Sequence, residues 1–170
     1  GNFVQGLTRG DGVTGDNVTE NLKTINTIPL KIKNDLDFDI RGEVVIEKND
    51  FNKLNQDRLS LGEQPYMNPR NTASGSIKLI KSEEVKKRPL KCYSFQVVGD
   101  KLPFKSQIES LNFGIKCGFN VSQTFKFCKN LSEVIKYLEF WEKNKDSNKF
   151  EIDGVVIKVN KLDYQQKLGF

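Results

Sequence analysis

The sequence predicts an α+β domain with a largely antiparallel sheet flanked by helices. Strand-like and helix-like segments follow one another without a strict strand–helix–strand rhythm. The clearest strand, residues 38–46, alternates apolar and polar positions as a half-buried strand does. A chain of 170 residues that is 36% apolar is enough for one well-cored domain and too little for two large ones.

Taken in order, residues 2–8 read as a strand leading into a glycine turn. Residues 17–26 read as a helix with Val18, Leu22 and Ile25 on one face and Asp16 or Asn17 as cap. In 38–46, Phe38, Ile40, Val44 and Ile46 take one face, and Asp39, Arg41, Glu43 and Val45 the other. Asn49 is placed as the cap of a helix carrying Phe51, Leu54, Arg58 and Leu61, stopped by Gly62. Residues 90–98 form the next strand. Ser106 and Glu109 make a capping box for a helix with Ile108, Leu111 and Ile115, ended by Gly118. A strand at 121–127, a helix capped by Ser132 and running through Trp141, a last strand at 150–159 and a short helix at 162–168 complete the chain.

Composition excludes several chemistries. There is no histidine, which removes the Ser-His-Asp triad and His-ligated zinc. Cys92, Cys117 and Cys128 are odd in number and form no C-x-x-C pair, which fits a reduced, cytoplasmic protein. The longest apolar run is three residues, as in Val155–Ile157, so no membrane span or signal peptide fits. The net charge of +5 is uneven. Residues 1–50 carry six Lys/Arg against nine Asp/Glu, −3, whereas residues 51–150 carry eighteen against ten, +8. A basic body of this kind suits an anionic partner, nucleic acid first, or is simply a lysine-rich solvated surface.

Four polar segments carry the chemistry. Gly10-Asp-Gly12-Val-Thr-Gly15 has the G-x-G-x-x-G spacing, but the segment before it is too polar for the centre of a parallel sheet. Asp35, Asp37 and Asp39 also precede or open the next strand instead of ending it, so a dinucleotide-binding βαβ unit is rejected. The alternatives are a turn that aims Arg9 and a bare structural turn. In Arg41-Gly-Glu43-Val, glycine is read as stripping the polar face so that a ligand can approach, against a plain cross-strand ion pair. Asn68-Pro-Arg70-Asn-Thr-Ala-Ser-Gly-Ser76 is either a Pro-started helix with a small packing face or a run whose backbone receives a phosphate, with Arg70 at its mouth. Lys78 follows two turns later on a similar face. Asp153 and Lys158 are five apart and would point to opposite faces of a flat strand, so a bend at Gly154 is needed to bring them together.

In this order and spacing, the four segments resemble the adenylation domain of bacterial NAD-dependent DNA ligases, along the whole of 1–170. The resemblance implies the nucleotidyltransferase fold shared with ATP-dependent ligases and capping enzymes. It implies transfer of AMP from NAD to a lysine, then to the 5′-phosphate of a nick, then sealing. By it, Arg9 and Glu43 contact the nucleotide, with Glu43 on the ribose. Lys158 reaches the adenylate, Arg70 lies near the phosphate or nicotinamide side, and Asp153 is an essential acid. Phe95 stacks on adenine, and Lys78 stands where the family more often has arginine. Catalytic roles therefore fall to Lys158, Asp153 and Arg70.

Magnesium is the expected metal, with no protein metal site within the chain. Zinc is expected only in a C-terminal part that is not here. The expected partners are NAD and nicked duplex DNA, with no membrane, and the expected state is a monomer. The family's nucleophile motif, Lys-x-Asp-Gly, belongs just upstream of the Thr8-Arg-Gly-Asp-Gly12 turn and is absent from these residues, as are the nicotinamide-binding and OB-fold domains. The reading is thus a partial adenylation domain that does not form the lysine adduct alone and has marginal stability. The alternatives are an ATP-dependent ligase or capping-type enzyme, and a non-catalytic nucleic-acid-binding remnant.

Overall fold

The computed structural model describes residues 1–169. Its elements run α1 (Thr19–Leu22), β1 (Asp39–Ile46), α2 (Lys48–Ser60), α3 (Pro69–Ile77), α4 (Ser82–Lys86), β2 (Leu90–Val98), α5 (Gln107–Lys116), α6 (Leu131–Asn144), a 3-10 turn (Lys145–Ser147) and α7 (Leu162–Leu168). β1 and β2 pair antiparallel, from Asp39 opposite Val98 to Ile46 opposite Leu90. The mixed α+β class holds, with one two-stranded sheet among the described residues instead of several.

The small-residue run builds the centre. Asn68 caps α3 by accepting from the Asn71 N–H at 3.0 Å, and Pro69 starts the helix, where its missing N–H costs nothing. Thr72, Ala73, Ser76 and Ile77 are buried, so the small face lets α3 lie close against β1. Val18, Ile25, Ile46, Ala73, Ile77, Val85, Leu90 and Cys92 form the main core, with Phe51 and Leu54 of α2 packed on it. α5 lies on β2. Its Ser106–Glu109 capping box is formed, and Phe113 meets Phe38 edge-on at 5.4 Å between ring centres.

Several expected elements differ. Residues 2–8 make only two isolated bridges, Asn2 to Lys31 and Leu7 to Asn17, and Val4 is 84% exposed. The helix expected over 17–26 shrinks to one turn. Its Asn21 amide donates to the Ile77 and Leu79 carbonyls at 2.7 and 2.8 Å, and Thr24 Oγ1 donates back to the Asn21 carbonyl, so side chains compete with the helical ladder. Residues 121–127 keep a single parallel bridge, Val121 to Ser94. Residues 150–159 form no ladder among the described residues, and Val156 is 79% exposed.

Glu47, not Asn49, precedes α2, whose Leu61 is exposed just before Gly62 turns left-handed at φ 73°. Asn130, not Ser132, caps α6 by accepting from the Glu133 N–H at 3.0 Å. The short α4 had no counterpart in the sequence reading.

Candidate functional site

Exposed positions of the β1–β2 ribbon carry several of the expected site residues. Arg41 and Glu43 are exposed on β1. Between Arg41 and Gly42 the register shifts, because Arg41 faces Gln96 and Gly42 faces Ser94. Phe95 is therefore the extra residue of a bulge, a device that re-aims a side chain. Its ring is exposed, and the Lys158 ammonium stands 5.2 Å from the ring centre. Partial burial, and next the positive charge of Arg41, hold the Lys158 ammonium below its usual pKa.

The expectation for Gly42 is corrected. A Cβ there would lie 2.7 Å from Cys92 Sγ and 3.0 Å from the Tyr93 carbonyl oxygen, so the glycine serves close approach of β2 and not of a ligand. Cys92 is buried, which with the nearby Glu43 charge pushes its thiol up to about 11.

At the start of α3, Arg70 NH1 donates to Asp153 Oδ2 at 2.8 Å, although the two are 83 residues apart. The chain bends at Asp153, beside Gly154. The hydrogen bond and then the charge of Asp153, with Glu43 also near, raise the Arg70 pKa, while Asp153 is lowered by the same bond. Among the described residues, neither Glu43 nor Arg41 has an ion-pair partner.

Two expected members sit elsewhere. Lys78 caps the C-terminal end of α3, eight residues from Arg70 and about 12 Å along the axis. It pairs with Asp16 at 2.8 Å, the contact that most lowers the Asp16 pKa. Lys78 and Arg70 thus hold different carboxylates, Asp16 and Asp153. Arg9 lies exposed in a closed loop. Gly10 has φ 54°, where a Cβ would fall 1.7 Å from the Thr14 carbonyl oxygen. Asp11 accepts from the Val13 and Thr14 N–H groups at 2.9 and 2.7 Å, bonds that hold its carboxyl below the usual range. Among the described residues no hydrogen bond or ion pair joins the Arg9 guanidinium to the β1 cluster.

One cluster escaped the sequence reading. Lys91 Nζ lies 2.7 Å from Glu47 and 3.1 Å from Asp50, and the Tyr93 hydroxyl donates to Glu47 at 2.5 Å. Tyr93 also packs on Phe150, with ring centres 4.7 Å apart. The only advance signal was the alternation of Lys91 and Tyr93 on one strand face.

Chemically, the ribbon and the segments that touch it offer an aromatic ring, a carboxylate without an ion-pair partner among the described residues, and three cations, Arg41, Arg70 and Lys158. Such a set suits a planar base, sugar hydroxyls and phosphate oxygens. Residues 1–170 match the NAD-dependent DNA ligase adenylation domain family over their whole length. The chain belongs to that family.

Among curated relatives it is 49% identical to a DNA ligase of Flavobacterium johnsoniae over 172 aligned residues, 100% of this chain and 26% of the relative. It is 42% identical to a DNA ligase of Bacillus velezensis and 40% identical to one of Clostridioides difficile, covering 26% and 25% of those proteins and 100% of this chain in both cases. The chain thus spans about a quarter of the length of these ligases. No helix among the described residues is long and apolar enough to cross a membrane, and no group of three or more Cys, Asp or Glu gathers as a metal cage.

Proposed function

We propose that this chain is the nucleotide-gripping part of an NAD-dependent DNA ligase that seals nicks in duplex DNA, working as a monomer in the cytoplasm. The observation that supports the reading is a pair of contacts, Lys158 over Phe95 with Arg41 near and Arg70 on Asp153 with Glu43 near, each made by segments far apart in the sequence. When bound, NAD supplies the AMP group that a ligase transfers.

Glu43 accepts hydrogen bonds from the ribose hydroxyls. Phe95, turned outward by the bulge, stacks on adenine. Lys158 sits over that ring and neutralises phosphate oxygens; partial burial first and the Arg41 charge second hold its ammonium below the usual pKa. Arg70 supplies a planar fork to the phosphate or nicotinamide side, with Asp153 holding the fork in place until an anion arrives. Lys78 steadies Asp16 at the base of the loop that carries Arg9, and Arg9 closes on the nucleotide from there. Magnesium would be held by the phosphate oxygens of the nucleotide and would offset their charge there.

Calorimetric titration of this chain with NAD and with ATP, each with magnesium, tests the reading alongside intact mass. NAD should bind, Glu43→Ala and Phe95→Ala should each weaken it, and no AMP should be added, since the chain has no Lys-x-Asp-Gly segment. The chain extended through such a segment upstream should gain one AMP from NAD and none from ATP. An adduct from ATP would move the assignment to the ATP-dependent enzymes. Binding of neither nucleotide would sink it.

A further inference from the structure

The segment that carries Asp153 and Lys158 has no ladder to hold it. Among the described residues, the hydrogen bond from Arg70 to Asp153 is the only one that residues 151–158 make. Lys158 makes none, yet its ammonium stands over Phe95, 5.2 Å from the ring centre. Its placement therefore depends on the residues just after it. The Val159 carbonyl accepts from the Gln165 side-chain amide at 2.6 Å. Gln165 also donates to Gln107 Oε1 at 3.3 Å, 58 residues away in the sequence. Gln107 Nε2 in turn donates to the Phe95 carbonyl at 2.9 Å. A continuous line of hydrogen bonds thus runs from the neighbour of Lys158, through two glutamine side chains, to the bulged residue that bears the ring.

The line is built with care. Gln165 is 6% exposed, and a buried amide is costly unless its groups are matched. Gln107 gives its oxygen to Gln165 and its nitrogen to Phe95, so neither amide can turn over without breaking the line. The bland reading is that the glutamines merely pin α7 to α5. Other bonds already do that. Ser106 and Lys161 form an antiparallel bridge, and the Leu162 N–H donates to the Lys105 carbonyl at 3.0 Å. Asn160 accepts from the Gln107 and Ile108 N–H groups at 2.7 and 3.2 Å, donors that have no partner within a helix. Docking of α7 does not require a bond to Phe95.

We infer that Gln107 and Gln165 are positioning residues for the nucleotide site, which tie the Phe95 carbonyl to the Val159 carbonyl and so set the gap between the Phe95 ring and the Lys158 ammonium. This rests on the reading of Phe95 and Lys158 as contacts for base and phosphate. In this role neither glutamine touches the nucleotide. A binding constellation works when supporting hydrogen bonds hold it to within about 0.5 Å, so losing the line should loosen the grip on base and phosphate together.

The test is NMR of the isotope-labelled chain, with NAD titration of the same preparations. In the parent, the ring current of Phe95 should shift the Lys158 side-chain methylenes upfield, and Phe95→Leu should remove that shift. Gln107→Met and Gln165→Met roughly keep the volume and lose the amides. Each should move the Lys158 methylenes to the position of a solvent-exposed lysine and weaken NAD binding about three- to tenfold, the worth of one lost hydrogen bond. In a Lys158→Ala background, Gln165→Met should cost little more, whereas a glutamine that only pins α7 would cost the same in both backgrounds. Circular dichroism and urea unfolding check the fold; should Gln165→Met unfold, the half-buried Gln107→Met carries the same comparison. Folded variants that keep the parental methylene shifts overturn the inference, whatever happens to NAD binding. So do losses that simply add across the cycle. A parent that binds no NAD, with the methylene shift still lost in the variants, fails the ligase reading and leaves the positioning line standing.

Discussion

Replacing Gly42 by alanine should loosen the strand pair that presents the site. The added Cβ would sit 2.7 Å from Cys92 Sγ, 3.0 Å from the Tyr93 carbonyl oxygen and 3.4 Å from Ser94 Cα. Two of these neighbours are backbone of β2 and cannot rotate aside, so the ribbon must open where its register shifts. Overpacking of this kind costs about 1–3 kcal/mol. For a domain of this size each kcal/mol moves the melting temperature by about 2–4 °C, so the fall should be on the order of 2–12 °C.

Cys92→Ala removes the nearest of the three atoms. The double variant should therefore be more stable than the sum of the single costs predicts, with a coupling of about 0.5–2 kcal/mol, while the contact with Tyr93 remains. Urea unfolding followed by circular dichroism gives the four stabilities of the cycle. NAD titration should show weaker binding in Gly42→Ala, because Phe95 leaves its bulge geometry. A Gly42→Ala protein as stable as the parent, or single costs that simply add, would refute the packing argument and return Gly42 to the ligand-approach role.

Other outcomes follow from the same geometry. Arg70 and Asp153 form a solvent-exposed pair, so Arg70→Ala should leave the urea midpoint almost unchanged while weakening NAD binding by tenfold or more; a large stability loss with intact binding would make the pair structural. Burial raises the Glu47 carboxyl, but hydrogen bonds from Lys91 and Tyr93 lower it further, to a net value below its ordinary 4.5. A depressed carboxyl stabilises the fold above its unfolded pKa, so stability should fall as pH drops below about 4.5, and Glu47→Gln should flatten that limb of the pH–stability curve. With its thiol near 11, Cys92 should resist iodoacetamide at pH 8 until urea unfolds the chain; rapid labelling of the native protein, read by peptide mass, would contradict its burial.

What the sequence determined by itself was local or motif-level. Asn68 and Pro69 start α3 and Ser106 with Glu109 starts α5, while Gly62 and Gly118 turn left-handed after their helices, because caps and turns depend on neighbours within four residues. Residues 38–46 and 90–98 announced their strands by composition and alternation. The four charged segments, in order, were specific enough to point to the family that the comparison then showed.

Only tertiary structure decided which charges meet. Nothing local tells Arg70 to pair with Asp153 and Lys78 to turn to Asp16, since both partners arrive from distant chain. Residues 2–8, 121–127 and 150–159 carry strand-like patterns, but a ladder needs a second strand to receive its hydrogen bonds, and a pattern cannot say whether one is alongside. Gly42 makes the same point in one residue. Sequence showed a glycine between two charges, whereas the register of β2 placed Cys92 Sγ where its side chain would be.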